Sequence, residues 1–261
     1  MFIKKSVDKN YYINNGYAII DTDLKFNKDF NNLIDKINDD LKLKINESEL
    51  KKNGGFIMGN FGINQGPYGP QLYSLIFKEQ LIKIFEEFTE SNLEDFKVFY
   101  GGNLVLPNKG KQHFHIDGSY KKKMYMVSIV TEDIDLNNAP TEICVGSHKK
   151  EMKFWEFFLS KKDKKKVTLK KGQIFIRPHN LWHRGTKNKS KKPRLLLSFS
   201  LTPKIQDEQI QNYSSNVKIL PNFFKSNFIG RIHEFSYVYL GSILIIFKLL
   251  YSIFKKKIIL I

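Results

Sequence analysis

The sequence is poor in cysteine and in arginine, and both shortages narrow its possible functions. Its 261 residues include one cysteine, Cys144, so an internal disulfide is excluded and a reducing, cytoplasmic location is expected. The formal net charge is +17, but only four of the 43 basic residues are arginine. Lysine is a flexible, strongly hydrated charge, and no zinc-knuckle, helix-turn-helix or RNA-binding motif accompanies it. We therefore expect no nucleic-acid partner.

Long apolar runs are also missing, except near the C-terminus. Charged and polar residues follow Met1-Phe-Ile, which gives no sign of a secretory signal. Residues 235–254 carry one charge, Lys248, over a length that could cross a membrane. Polar residues recur there at helical spacing, and the flanking lysines oppose the positive-inside tendency. We expect a hydrophobic helix over residues 235–261 that lies in a membrane interface or packs on the domain or a second subunit. A span remains an alternative.

What the sequence does contain is enough apolar residues, 41%, for one large core. Apolar spacing predicts a first strand after Gly16 and helices over residues 26–50 and 71–88, with residues 53–71 as a long loop near the pocket mouth. Residues 160–166 are most simply a solvated loop. Short apolar segments between turns predict strands near residues 97–106, 113–117, 124–132, 141–144, 167–169, 173–177 and 194–202. This order is typical of an α+β, mainly β fold, a sandwich or jelly roll buttressed by N-terminal helices.

A short segment, Gln112-His-Phe-His-Ile-Asp-Gly118, places His115 and Asp117 two residues apart. On a β-strand such positions point to one face, so an imidazole and a carboxylate would lie side by side. They supply two of the three ligands in the two-histidine, one-carboxylate triad of non-heme Fe(II) oxygenases. Alone the triplet is a weak signal, because a strand histidine bonded to a nearby aspartate gives the same pattern.

A third ligand must come from elsewhere, and His183, which follows a predicted strand and a turn, is the best candidate. His179, four residues earlier, is its rival. Eleven residues after His183, Arg194 opens the apolar run Leu-Leu-Leu-Ser-Phe-Ser. A triad leaves two metal positions for a 2-oxo acid and one for O2, and an arginine can hold the far carboxylate through two parallel hydrogen bonds. The spacing therefore favours Fe(II) with 2-oxoglutarate.

The segment from about Tyr100 to Thr202 resembles the phytanoyl-CoA dioxygenase family of Fe(II)/2-oxoglutarate oxygenases. The matching pieces are His115-Ile-Asp117, Asn137-Asn-Ala-Pro-Thr-Glu-Ile-Cys-Val-Gly-Ser-His148, Lys171-Gly-Gln-Ile-Phe-Ile, His183-Arg-Gly-Thr-Lys-Asn-Lys-Ser and Arg194. The resemblance implies a cupin-like double-stranded β-helix, with His115, Asp117 and His183 on iron and Arg194 on 2-oxoglutarate. We expect one domain over residues 1–234, with its catalytic core at about 97–204.

The chain departs from the family pattern in two places. Gln173 follows Gly172 where the family commonly has aspartate, and we expect only a turn effect. Gly185 stands where a small hydroxyl residue often helps to bind 2-oxoglutarate, so Thr186 is expected to substitute. His148 is expected to be structural or substrate-facing. The remaining candidates are Asn103 for 2-oxoglutarate, and His113, Tyr120, Trp182 and Arg177 for the wall of the pocket.

The sequence thus predicts hydroxylation, or another C–H oxidation, of a small or lipid-linked substrate. It would use Fe(2+), 2-oxoglutarate and O2, with ascorbate in support, and release succinate and CO2. Substrate identity and oligomeric state are not encoded in these motifs. Two alternatives stay open: a non-catalytic jelly-roll binding protein, and a cupin-type metal enzyme that does not use 2-oxoglutarate and so leaves Arg194 without a role.

Overall fold

The computed structural model of the chain describes residues 3–5, 8–204, 214–241, 243, 246, 247, 250 and 251. Its described helices are α1 (Lys9–Asn15), α2 (Lys28–Lys44), α3 (Glu47–Lys52), α4 (Tyr68–Ile76), α5 (Glu79–Thr89), α6 (Phe154–Leu159) and α7 (Phe228–Tyr239). Its described strands are β1 (Ile3–Lys5), β2 (Ala18–Thr22), β3 (Asn60–Asn64), β4 (Phe96–Val105), β5 (Tyr125–Val130), β6 (Thr141–Cys144), β7 (Lys164–Val167), β8 (Ile174–Pro178), β9 (His183–Gly185), β10 (Arg194–Pro203) and β11 (Lys218–Ile219).

The described strands form two antiparallel sheets that face each other. The major sheet has eight strands in the order β1-β2-β8-β5-β10-β4-β3-β11, and the minor sheet has three in the order β7-β6-β9. Strand β10 lies between β5 and β4 at the centre of the major sheet and pairs with both in antiparallel register. This arrangement confirms the predicted mainly β jelly roll with helices before it.

Two apolar layers hold the architecture together. The outer face of the major sheet is covered by helices, of which α2 buries Phe30, Leu33, Ile34, Ile37 and Leu41 at helical spacing. Burial of each such side chain contributes about 1.5–3 kcal/mol of transfer free energy. A second apolar cluster lies between the sheets and joins Val130, Phe175 and Leu196 of the major sheet to Ile143 and Val167 of the minor sheet. The chamber described below lies between the sheets.

Both predicted N-terminal helices are present but broken. The predicted helix over residues 26–50 is two helices, because α2 ends at Lys44 and Asn46 begins α3, its side chain accepting a hydrogen bond of 2.9 Å from the Glu49 amide. The predicted helix over residues 71–88 is likewise α4 and α5, separated at Phe77 and Lys78.

Three predicted segments differ in the structure. The loop predicted at residues 53–71 contains β3, which lies inside the major sheet next to β4. The loop predicted at residues 160–166 contains the start of β7, an edge strand whose exposed lysines discourage pairing with other chains. The strand predicted at 113–117 is reduced to one bridge, in which His115 and His183 exchange both backbone hydrogen bonds at 2.9 Å.

The C-terminal helix begins at Phe228 rather than at residue 235, so the predicted domain boundary falls inside α7. After Leu240, the described residues Gly241, Ile243, Ile246, Phe247, Leu250 and Tyr251 are helical. Three members of the predicted polar stripe, Lys248, Ser252 and Lys255, lie outside the described residues. Among the helices that the structure describes, none is both long enough and apolar enough to cross a membrane.

Candidate metal and co-substrate site

The candidate site is a chamber of about 240 Å³ between the two sheets. Side chains alternate across a strand, so every second residue of each bordering strand points into the chamber. The major sheet supplies Gly102, Asn103, Met126, Ser128, Phe175, Arg177, Arg194, Leu196 and Ser198. The minor sheet and the segment bridged to it supply Gln112, His115, Asp117, Thr141, His183 and Gly185.

His115, Asp117 and His183 meet at one end of this chamber. Their ligand atoms lie within 4.8 Å of one another, the one group of three or more such side chains found among the described residues. The bridge between His115 and His183 fixes the two histidines opposite each other, with ring centroids 4.5 Å apart. Asp117 Oδ2 lies 3.3 Å from His183 Nε2, and its Oδ1 lies 3.5 Å from His115 Nε2. The structure therefore brings the three predicted ligands together.

Backbone hydrogen bonds set the orientation of both imidazoles. Nδ1 of His115 donates to the His113 carbonyl at 2.8 Å, and Nδ1 of His183 donates to the Leu181 carbonyl at 2.9 Å. Because a carbonyl can only accept, each Nδ1 carries a proton, which leaves Nε2 as the ring atom of each histidine that can bind a metal ion. Such an outer hydrogen bond is the usual partner of a metal-binding histidine.

Burial and charge put these groups in the protonation states that bind metal. Burial alone would raise the pKa of the Asp117 carboxyl, but His183, Arg177 and His115 together hold it well below its usual value. Burial lowers the pKa of His183 to about 3, and the charge of Arg177 acts in the same direction. At neutral pH the site thus contains a carboxylate and a neutral imidazole, the forms that a metal ion requires.

Arg177, on β8, contacts the same group. Its Nη2 donates to Asp117 Oδ2 at 2.7 Å and lies 3.1 Å from His183 Nε2. The side chain is 8% exposed, and its Nη1 has no hydrogen-bond partner in the part of the chain that the structure describes. The guanidinium thus occupies lone pairs that a metal ion would use, and metal binding must displace at least one of its hydrogen bonds.

Arg194 borders the same chamber from the start of β10, where it pairs with Val105 of β4. It is 2% exposed, and its Nη2 donates to the Ala139 carbonyl at 2.9 Å. Its Nε and Nη1 are buried and find no partner among the described residues. Burial lowers its pKa to about 10, against the opposing effect of Glu132, so the guanidinium stays charged at neutral pH. A buried charge with two unpaired donors is costly unless an anion satisfies it.

The two weaker candidates for 2-oxoglutarate have different positions. Asn103 points into the chamber from β4, and its amide donates to the side chain of Asn60 on β3. Thr186 does not line the chamber: it lies one residue beyond β9, on the side opposite to His183 and Gly185, and its hydroxyl donates to the Pro140 carbonyl at 2.7 Å. Strand alternation explains this placement, and a role for Thr186 in binding 2-oxoglutarate stays a prediction.

Gly185 is required by a close approach rather than by backbone conformation. A Cβ atom at this position would lie 2.7 Å from Oε1 of Gln112, which accepts the Gly185 amide at 2.8 Å. Gln112 therefore fills the space beside Gly185, and Thr141, paired with Gly185, supplies a hydroxyl residue to the wall from β6. Sequence reasoning missed Gln112, Thr141 and Asn60 as site residues. Strand alternation could have indicated Thr141, whereas nothing in the sequence pairs β3 with β4.

The other buried histidines lie outside the triad. Nε2 of His179 lies 3.1 Å from both the Tyr125 carbonyl and the Ser200 hydroxyl, so this ring contacts β5 and β10 of the major sheet. Nε2 of His148 donates to the Ile13 carbonyl at 3.1 Å, on the side of α1. The structure thus favours His183 over His179 as the third ligand and gives His148 a structural contact.

The three residues predicted for the substrate pocket lie near a second cavity. His113 and Trp182 line this cavity of about 760 Å³, which lies between the His113–Ile116 segment and α7. Trp182 stacks on Phe157 with ring centroids 4.1 Å apart, and its indole donates to the Tyr120 hydroxyl at 3.1 Å. Tyr120 does not line the cavity, and this hydrogen bond is its contact with the cavity wall.

The residues present fit a divalent metal ion and a 2-oxo acid. Two imidazoles and one carboxylate are the expected donors, with room for further ligands on the chamber side. The unpaired donors of Arg194 and the amide of Asn103 border the same small volume. A dicarboxylate bound there would satisfy the guanidinium that the protein leaves unpaired.

Comparisons with known proteins agree with this geometry. Residues 96–196 match the sequence model of the Phytanoyl-CoA dioxygenase (PhyH) family. No curated protein matches the chain by sequence. Solved structures do match in fold, and at 12–13% identity this likeness confirms the double-stranded β-helix.

Three of these structures illustrate the range. The epimerase SnoN in complex with Fe3+, alpha ketoglutarate and nogalamycin RO is 12% identical with a TM-score of 0.58, covering 82% of this chain and 94% of that one. EvdO2 from Micromonospora carbonacea var. aurantiaca, complexed with 2-oxoglutarate, is 13% identical with a TM-score of 0.56, covering 82% and 98%. The carbocyclase SnoK from nogalamycin biosynthesis is 12% identical with a TM-score of 0.58, covering 82% and 86%.

The double-stranded β-helix, the His-Asp-His group and the family match together define an oxidoreductase of the iron- and 2-oxoglutarate-dependent oxygenase class. Within that class, residues 96–196 match the phytanoyl-CoA dioxygenase family. The resemblance drawn from the sequence is confirmed, and iron, 2-oxoglutarate and O2 are the cofactor and co-substrates of this class.

Proposed function

We propose that this protein oxidises a C–H bond of a small or lipid-linked substrate, converting 2-oxoglutarate and O2 to succinate and CO2. The observation that carries the proposal is Arg194, a buried cation with two unpaired donors in the chamber that also contains the His-Asp-His group. A metal-binding jelly roll without a 2-oxo acid has no use for that charge.

Each site residue has a role in this proposal. His115, Asp117 and His183 hold the iron through two Nε2 atoms and one carboxylate oxygen. Arg194 binds the far carboxylate of 2-oxoglutarate, and Asn103 orients its other end. When bound, the iron would let O2 act as the oxidant of the C–H bond, with 2-oxoglutarate supplying two of the four electrons that O2 takes up as the 2-oxo acid is converted to succinate and CO2. The protein's own contribution is to position both groups and to keep the chamber small and shielded from water.

The two alternatives predict different results in a succinate-release assay with Fe(II), ascorbate and 2-oxoglutarate across lipid, amino-acid and sugar substrates. We expect succinate from the native protein and at least a tenfold loss in Asp117→Asn. Asp39→Asn, on the exposed face of α2, is the matched control and should release succinate normally. No succinate from any substrate would favour the binding protein. Turnover that N-oxalylglycine fails to inhibit would favour the cupin-type enzyme.

The lipid-linked part of the proposal rests on α7. In this helix Gly230 and Glu234 face the domain and the large apolar residues are exposed. This is the reverse of an ordinary amphipathic helix, whose apolar residues face the core. The exposed residues are Phe228, Ile229, Ile232, Phe235 and Tyr239 on α7, and Leu240, Ile243, Ile246, Phe247, Leu250 and Tyr251 among the described residues after it. With a net charge of +17, an anionic membrane surface is the complementary partner, and we propose that α7 lies in it.

Sedimentation with vesicles tests this contact. The native protein should sediment with phosphatidylcholine vesicles that contain phosphatidylserine, and the double variant Phe228→Ser, Ile232→Ser should stay in the supernatant. Leu43→Ser is the control, because Leu43 is an exposed apolar residue on α2. If the double variant sediments like the native protein, the membrane contact is refuted. If it instead changes the oligomeric state, α7 covers a second subunit. Deletion of residues 236–261 is less informative, because Tyr237 contacts His113.

A further inference from the structure

A large, mostly apolar cavity lies beside the small chamber that is proposed to hold iron and 2-oxoglutarate. It measures about 760 Å³ and lies between α7 and the segment that carries the first two candidate metal ligands. One wall is aromatic and aliphatic, with Phe114, Ile116, Phe154, Trp182 and Phe224. The opposite wall belongs to α7 and contributes His233, Ser236, Tyr237 and Gly241. None of these described lining residues is aspartate, glutamate, lysine or arginine.

This cavity adjoins the candidate metal site through a shared residue. His115 lines both the large cavity and the small chamber, so the two spaces meet at this residue. His113, two residues earlier, also lines the large cavity. A molecule bound in the cavity would therefore reach the metal position along the His113–His115 edge.

The α7 wall is fixed to the domain rather than laid loosely over it. The Tyr237 hydroxyl accepts the His113 amide at 2.8 Å, and His113 Nε2 donates to the Tyr237 carbonyl at 2.8 Å. Gly241 is packed so closely that a Cβ atom there would lie 2.1 Å from the His113 ring. Glu234, 2% exposed, accepts the Met58 amide at 2.8 Å. These contacts build a defined wall beside the metal site.

We propose that this cavity is the substrate site and that it takes an uncharged, mostly apolar small molecule. The inference rests on the proposed function and names its substrate class. A cavity of 300–1,000 Å³ is the usual range for drug-sized ligands. A charged group placed among these walls would lose its hydration without a partner of opposite charge, at a cost of several kcal/mol. Ser236 and His233 offer hydrogen bonds to one hydroxyl or carbonyl group at the α7 end, and the C–H bond to be oxidised lies toward His115.

Three probes that share a ten-carbon chain and differ in charge test whether the cavity prefers an uncharged ligand. They are 1-decanol, decanoate and decyltrimethylammonium. The chain has two tryptophans, Trp155 and Trp182, so a Trp155→Phe background makes Trp182 the reporter of cavity binding by fluorescence. We expect 1-decanol to bind at least tenfold more tightly than either ion. Equal or tighter binding of an ion would overturn the proposal.

A pair of substitutions on α7 tests the location. Ser236→Phe places a ring in the cavity and should weaken 1-decanol binding at least tenfold, whereas Ile232→Phe, on the exposed side of the same helix, should leave it unchanged. Mn(II) affinity, read by electron paramagnetic resonance, should be native in both variants. Native 1-decanol binding by Ser236→Phe would show that the probe binds elsewhere.

Relaxation of the probe by bound Mn(II) tests continuity with the metal site. With Mn(II) and 2-oxoglutarate present, the protons of bound 1-decanol should relax faster than with Mg(II). If Mn(II) binds and 1-decanol binds without this enhancement, the cavity is not the substrate site, although the proposed function stands. If Mn(II) does not bind, the proposed function fails, while the metal-free fluorescence experiment still decides whether the cavity takes neutral molecules.

Discussion

Replacement of Arg194 by lysine is the change whose effect follows most directly from the structure. Arg194 offers Nε and Nη1 to the chamber while its Nη2 is bound to Ala139. Nη2 carries a second N–H beside them, so a carboxylate can accept two charge-assisted hydrogen bonds, one from Nη2 and one from Nε or Nη1. Lysine presents a single ammonium group without the planar pair of donors. Position 194 is deeply buried, and burial also disfavours the charged form of a lysine.

The magnitude follows from the loss of one of the two bonds. A hydrogen bond to a charged group is worth about 1.5–3 kcal/mol, and each 1.4 kcal/mol is tenfold in affinity. We expect Arg194→Lys to weaken 2-oxoglutarate binding roughly tenfold to one-hundredfold, with metal affinity near native. The KM for 2-oxoglutarate should rise accordingly, while the KM for the oxidised substrate changes little.

The assay is an anaerobic titration of the Co(II)-substituted protein with 2-oxoglutarate, followed by visible absorption. Arg184→Lys is the matched control, because Arg184 is 30% exposed and pairs with Glu142 at 2.5 Å outside the chamber. It should bind 2-oxoglutarate within about twofold of the native protein, because Arg184 does not line the chamber. Native affinity in Arg194→Lys, or equal losses in both variants, would refute the role of Arg194.

Three further predictions concern the surroundings of the site. Arg177→Gln should raise Co(II) affinity about tenfold in a calorimetric titration, because Arg177 carries a like charge and occupies metal-binding lone pairs; weaker binding would mean that it orients Asp117 for the metal. His179→Gln should keep one Co(II) per chain but lower the Tm, since its ring contacts the Tyr125 carbonyl and Ser200; loss of Co(II) would restore His179 as a ligand. Burial lowers the pKa of His148 to about 4, so the unfolded state binds more protons between that value and about 6.5, and stability should fall as pH falls through this window. His148→Asn should remove on the order of 2–3 kcal/mol of that total loss of stability. An unchanged pH dependence in urea denaturation would contradict the assignment.

The candidate metal ligands and Arg194 could be predicted from the sequence because they stand at characteristic spacings along the chain. His115 and Asp117 are two residues apart, so they share a face even though the segment makes only one bridge instead of a strand. The step from His183 to Arg194 spans one return between β9 and β10. Gln112 and Arg177 were harder to interpret, because their roles depend on contacts with Gly185 and with Asp117 across the chamber.

The parts of the fold that were missed lack a periodic signal or combine two signals. Strand β3 has buried Phe61 and Ile63 in alternation, but its five residues lie between glycine-rich turns and look like a loop. The break before α3 is marked by Asn46 followed by Glu49, a capping pattern that the continuous apolar spacing concealed. The lysines of β7 look like a solvated loop, although an edge strand tolerates them equally well.

Helix α7 was predicted as an apolar helix, but its inward face could not be deduced. The rule that apolar residues face the core predicts the opposite orientation. In the structure Gly230, Glu234 and Tyr237 of α7, and Gly241 just after it, face the domain. The contacts of Glu234 with Met58 and of Tyr237 with His113 join residues far apart in sequence, and no local pattern encodes them.

The central claim is that His115, Asp117 and His183 hold iron to which 2-oxoglutarate binds as a chelate. The most direct measurement is the anaerobic absorption spectrum of the Fe(II) protein before and after addition of 2-oxoglutarate. We predict a weak visible band that appears with 2-oxoglutarate in the native protein and is missing in His115→Ala, while His148→Asn retains it. A native protein that shows no such band, or a band that persists in His115→Ala, would contradict the account.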